Sequence, residues 1–148
     1  MEDRIEKSIE INAPVARVWR ALTDHREFGE WFRVELTGAF IVGEVARGRI
    51  THAGLEHLEW EATVQAMEPE RLFSFSWRPH ATDPDADYSA DPQTLVEFKL
   101  EPTPNGTHLV ISESGFSALP DDSRVDAFRR NANGWEAQTK NIAAYVES

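Results

Sequence analysis

Toward the C-terminus, Val125, Phe128, Ala132, Trp135, Ile142 and Val146 recur at helical spacing, which predicts one long amphipathic helix. A helix of that length has to bury its apolar stripe, so it constrains what the rest of the chain must supply. Asn133-Gly134 interrupts the stretch. Asn-Gly between apolar runs is normally a hairpin signal, and glycine inside a helix costs about 1 kcal/mol relative to alanine. Either the helix breaks there, or the glycine has a tertiary reason.

The surface that receives this stripe is written upstream as alternation. "RIEKSIEI" sets Ile5, Lys7, Ile9 and Ile11 on one side and Glu6, Ser8 and Glu10 on the other, a half-buried strand. "NAPVARVWRALTD" follows as a helix with Val15, Val18, Trp19 and Leu22 as its stripe, Asn12 or Ala13 as cap and Pro14 in the first turn. "HREFGEWF" reads as a second short helix burying Phe28, Trp31 and Phe32. Five or six strands then run to about residue 114. "VELTGAFIV" and "GEVARGRIT" are short ones. "HLEWEATVQAM" puts Trp60, Ala62 and Val64 on one face, and "EPERLFSFSW" does the same for Phe73, Phe75 and Trp77. "TLVEFKLEP" aligns Val96, Phe98 and Leu100, "TPNGT" is a hairpin turn, and "HLVISES" aligns Leu109, Ile111 and Glu113. After Gly115-Phe116 the last helix begins, with Asp121 as its expected cap. Strands in a run flanked by helices argue for an α+β fold, an antiparallel sheet of six or seven strands covered by the C-terminal helix. There is no internal repeat or linker, so residues 1–148 read as one domain.

The chain carries 26 acidic and 15 basic residues, a formal charge of −11. That field repels a phosphate backbone, and no basic patch offsets it, which argues against nucleic acid as a partner. The absence of cysteine excludes disulfides and thiolate chemistry and is compatible with a cytoplasmic location. The N-terminal segment "MEDRIEKSIEI" has no apolar signal core, and no run is long enough to insert in a membrane.

Catalytic patterns are absent. The five histidines show no metal spacing, "SESGF" lacks the glycine that precedes the serine of a nucleophile elbow, and "GEVARG" is no phosphate loop. "DPDADYSAD" places Asp83, Asp85, Asp87 and Asp91 as a calcium loop would, but Tyr88 replaces the turn glycine and Thr94 the terminal glutamate. Pro84 also fits such a loop poorly, so a solvated acidic connection is the expectation. Neither a metal nor a cofactor is called for. Five tryptophans and eight phenylalanines are the chain's distinctive stock. Most occupy inward positions and serve either as plain core or as the wall of a concave apolar site. The candidate ligand-binding residues are Trp60, Phe73, Phe75, Trp77, Val96, Phe98, Ile111, Glu113, Phe116, Phe128 and Trp135. Trp31 and Phe32 either close the cavity mouth or anchor the second helix. Glu113 either hydrogen-bonds a ligand or sits in solvent at a strand end.

"SIEINAPVARVWRALTD", "FGEWF", "MEPERLFSFSW", "NGTHLVISESGF" and "NGWEAQTKNIAAYV" occur in an order that resembles the START-like (SRPBCC) superfamily, and within it the subfamily named after activators of the heat-shock chaperone ATPase. The resemblance spans essentially the whole chain. It implies a helix-grip fold, in which the sheet wraps the C-terminal helix and can enclose a hydrophobic cavity. It also suggests that Gly134 marks a close approach of that helix to the sheet or to the first two helices, with Trp135 filling the groove beside it. Three functions follow from it: binding a small apolar or amphipathic molecule, stimulating a chaperone ATPase, or shaping a polyketide with a pocket acid such as Glu113. The first is preferred because the aromatics are present and a catalytic constellation is not. A homodimer is compatible with the sequence and not required by it.

Overall fold

The computed structural model describes residues 3–83 and 85–148; Pro84, in the acidic segment, lies outside them. The described elements are β1 (Arg4–Ile11), α1 (Val15–Thr23), α2 (His25–Phe32), β2 (Val34–Leu36), β3 (Val45–Ile50), β4 (Glu59–Glu68), β5 (Leu72–Trp77), β6 (Thr94–Thr103), β7 (Gly106–Ser114), a 3-10 turn (Phe116–Ala118) and α3 (Asp121–Glu147). Among the described residues, seven strands form one antiparallel sheet in the order β1-β7-β6-β5-β4-β3-β2. This is the α+β architecture that the pattern predicts and the helix-grip fold that the family resemblance implies.

Period two decides which side chains face α3. Trp60, Ala62 and Val64 of β4, Phe73 and Phe75 of β5, Val96, Phe98 and Leu100 of β6, and Leu109, Ile111 and Glu113 of β7 are all buried. Register brings them together: Phe73 pairs with Phe98 and Phe75 with Val96, while Phe98 pairs with Ile111 and Val96 with Glu113. The rings then touch. Phe73 and Phe98 stack with centroids 5.8 Å apart, and Trp135 of α3 meets Phe98 edge-on at 5.7 Å. Side chains therefore occupy the space between sheet and helix here, and their burial supplies the main drive for the fold.

Several local expectations are corrected. The N-cap of α1 is Pro14, not Asn12 or Ala13. α3 is capped by Pro120, and Asp121 is its first helical residue, with Asp122 beside it in the first turn. β2 ends at Leu36, so Phe40 is buried from an irregular segment and not from a strand. The "TPNGT" hairpin forms, but its loop is Pro104-Asn105, and Gly106 lies in β7. A Cβ at Gly106 would stand 2.1 Å from the Ile11 carbonyl oxygen. That glycine is required by a neighbouring backbone and not by the turn.

α3 runs unbroken through Asn133-Gly134. Its buried residues are Ala127, Trp135, Thr139, Ile142, Ala143 and Val146. Val125 is exposed, because it lies two residues, some 200°, from Ala127 around the helix. The close-approach account of Gly134 is overturned, since a Cβ there would meet nothing within 4 Å.

Candidate functional site

Glu113 is fully buried in β7. Its Oε2 accepts from the indole Nε1 of Trp77 at 2.7 Å and from the Thr94 hydroxyl at 2.6 Å. Its Oε1 accepts from Asn131 Nδ2 at 2.9 Å and Trp135 Nε1 at 2.8 Å. None of the four donors is a cation. A carboxylate offers about four lone-pair sites, and protein donors fill all of them. The convergence is built by register and helix period. Trp77 pairs with Thr94 at the β5–β6 end, and Asn131 and Trp135 stand four apart on one face of α3. One side chain thereby ties β5, β6, β7 and α3 together.

Above this clamp is a mouth of about 110 Å³, lined by Phe32, Trp77, Asn131, Gly134, Trp135 and Gln138. Its floor is aromatic: Trp77 and Trp135 stack with centroids 5.9 Å apart and planes 29° from parallel. Phe32 leans over both, 6.2 Å from Trp77 and 6.1 Å from Trp135. The mouth is open because Gly134 presents no side chain. Gln138 Nε2 reaches from α3 to the end of α2 and donates to the Phe32 carbonyl at 3.4 Å.

Of the residues singled out from the sequence, Trp77 and Trp135 border this mouth, and Glu113 lies beneath it. Trp60 packs behind, 5.9 Å from both Phe32 and Trp77. Phe73, Phe75, Val96, Phe98 and Ile111 are fully buried deeper in the core. Phe116 and Phe128 pair with each other at 5.1 Å beside the 3-10 turn. Trp31 and Phe32 divide the two roles considered for them. Trp31 is anchored by its Nε1 donating to the Ala21 carbonyl at 2.8 Å, whereas Phe32 lines the mouth. Sequence reasoning missed Thr94, Asn131, Gly134 and Gln138. Asn131 and Gln138 lie four before and three after Trp135, so helical spacing from that tryptophan is the signal that finds them.

Two other concavities differ in character. A groove of about 410 Å³ runs between the start of β4 and the 78–89 loop, lined by charged groups including Arg78, Glu59, Glu61, Asp83 and Asp87. Another of about 530 Å³ opens beside the Pro104-Asn105 turn. In the acidic loop, Asp83 and Asp87 accept from the backbone N–H groups of Asp85 and Ser89 at 2.9 Å each. The backbone N–H of Ser89, and then its hydroxyl, hold the Asp87 carboxyl below its usual range. Among the described residues no group of three or more His, Cys, Asp or Glu side chains could hold a metal ion. No helix of the described residues is long and apolar enough to cross a membrane.

A second polar junction holds α3 to the first two helices. Arg17 and Arg20 each reach Glu27 at 2.7 Å, and the Tyr145 hydroxyl donates to the same carboxylate at 3.2 Å. Burial, with the nearby acids Glu30 and Glu27, pushes the Tyr145 phenol up to about 12.

Residues 12–147 match the family model described as Activator of Hsp90 ATPase homolog 1-like protein. The chain belongs to that family. Its helix-grip sheet and long C-terminal helix place it in the START-like superfamily, as the sequence resemblance implies. Among solved structures, this family member is similar to protein MLL2253 from Mesorhizobium loti, at 26% identity and a TM-score of 0.76, covering 97% of this chain and 96% of that one. It shares its fold with the Aha1 dimer from Colwellia psychrerythraea, at 18% identity and TM-score 0.73, with 97% and 96% covered. It also shares it with DynU16 of the dynemicin biosynthetic locus, at 22% identity and TM-score 0.76. All of this chain aligns there, but only 48% of DynU16. No curated protein matches the chain.

Proposed function

We propose that this protein binds a small, mostly apolar molecule at the mouth between α2, β5 and α3. One observation carries the reading: a small opening at Gly134 is lined by the aromatic rings of Trp77, Trp135 and Phe32 and by the amides of Asn131 and Gln138. Apolar walls with a few placed polar groups are the ordinary form of a small-molecule site. The two larger grooves are lined by charged or hairpin residues and offer no comparable aromatic surface. Glu113 serves this site from beneath, by fixing the orientation of both tryptophans. The deeper candidates, from Phe73 to Ile111, form the wall on which those rings rest.

The test is a native mass spectrum of the protein purified from its own host, before and after organic extraction, beside a Gly134→Leu variant. An extractable adduct absent from Gly134→Leu is expected, because leucine fills the mouth. An adduct equally present in the variant places binding elsewhere, and a clean mass throughout overturns the reading.

A second reading, stimulation of a heat-shock chaperone ATPase, is favoured by the family match and by the fold shared with the Aha1 dimer. A chaperone ATPase assay with and without this protein decides it. That same likeness makes a homodimer part of the reading, checked by sedimentation. The fold shared with DynU16 keeps a polyketide-shaping role as the remaining alternative.

A further inference from the structure

All five tryptophans lie in the core or pack against it, and three of them place the indole N–H on an acceptor. Trp31 uses the Ala21 carbonyl, and Trp77 and Trp135 use Glu113. Trp60 does not: its Nε1 is buried and has no hydrogen-bond partner among the described residues. Buried donors are almost always paired, so an unpaired one calls for a reason. Trp60 is 5% exposed and lies directly behind two rings of the mouth, Phe32 and Trp77.

Phe32 is the member of that pair that stands at a helix end. It is the last residue of α2, only half-buried, and is followed by Arg33 in the left-handed region at φ 69°. Its ring stacks on Phe28 with centroids 4.9 Å apart and meets Trp135 of α3 at 6.1 Å, while its backbone carbonyl accepts from Gln138 at 3.4 Å. The mouth's 110 Å³ is below the ~150 Å³ of an apolar cavity known to take benzene. Displacement of the Phe32 ring would enlarge that space on the side where it packs against Trp60. The Glu113 carboxylate just below disfavours an anion, and with four donors already in place it has no site left for a ligand's donor. A neutral acceptor is what the pocket lacks.

We infer that the ligand is a flat, neutral aromatic of about two rings bearing a carbonyl oxygen, which accepts the free N–H of Trp60 once Phe32 is displaced. This rests on the mouth being the binding site, and the experiment separates the two. The intact protein is titrated with 1-indanone and with indane, the same bicycle without the oxygen, while the five indole N–H signals are followed by ¹⁵N–¹H correlation spectra. The ketone is expected to bind about tenfold more tightly, as a hydrogen bond to a buried donor implies, and to move the Trp60 N–H downfield where indane does not. In Trp60→Phe the ketone is expected to bind no more tightly than indane. Should that variant not fold, the spectra of the unmodified protein decide alone. Equal affinities, or a Trp60 signal unmoved by bound ketone, overturn this inference and leave the mouth intact as a site. If neither compound perturbs Trp77 or Trp135, the inference and the proposed site fall together.

Discussion

Asn131 and Trp135 belong to two regions at once. Inward, they donate to Glu113, where every lone pair has a partner. Outward, they line the mouth at Gly134, where a side chain is missing and nothing stands within 4 Å of the place it would occupy. A single turn of α3 thus carries both the most saturated polar junction of the core and an opening onto its aromatic rings. Saturation fixes the orientation of the two indoles, and the opening reaches the edge of their stack. The same contrast holds between glycines. A Cβ at Gly29 of α2 would lie 2.3 Å from the Val34 carbonyl oxygen, because the chain doubles back through left-handed Arg33. Gly29 is present to let backbone pass, whereas Gly134 leaves space.

The severest way to break this contrast is Glu113→Gln. An amide keeps one acceptor oxygen and, whichever way it lies, turns its NH₂ toward an indole N–H, Trp77 or Trp135, that cannot accept, so about 3 kcal/mol of stability should be lost. Urea unfolding measures it, and a loss below about 1 kcal/mol would show the clamp to be slack. Gly29→Ala comes next, with about 2 kcal/mol lost as the Val34 carbonyl is forced aside; thermal unfolding reads this directly. Gly134→Ala has the opposite sign. With space for the methyl and better helix propensity, it should gain about 0.5–1 kcal/mol, and a lowered melting temperature would reinstate a close approach at that point. The smallest effect concerns the seam between α3 and the first two helices. The Tyr145 phenol is raised from 10.0 to about 12 in the folded protein. Its contribution to stability is therefore complete below pH 10 and lost as pH rises from 10 toward 12. Tyr145→Phe should flatten unfolding free energy across that window.

Much of the fold was legible because period two and period 3.6 are properties of local sequence. Trp60, Phe73, Phe75, Val96, Phe98 and Ile111 were placed on the inner face by alternation alone, and they are buried there. Less of the candidate site was legible. The mouth depends on Phe32 meeting Trp77 and Trp135, residues from three elements whose separation in sequence carries no periodic signal. Val125 misled because hydrophobicity was read without the phase that Ala127, Asn131 and Trp135 set. Caps failed at Asn12, Ala13 and Asp121 because proline occupies both N-cap positions, where a side-chain acceptor is the usual expectation.

The sequence by itself determined that a run of strands must be covered by a long C-terminal helix, that Glu113 would share a face with Leu109 and Ile111, and that the chain would be rich in inward rings. Those are consequences of backbone geometry acting on neighbouring residues. Tertiary structure alone decided that Glu113 meets two indoles, an amide and a hydroxyl, that Trp60 meets no acceptor among the described residues, and that Gly134 faces open space. Each is settled by which distant surfaces come into register, and side-chain hydrogen bonds and steric room depend on that three-dimensional placement to within an ångström or less.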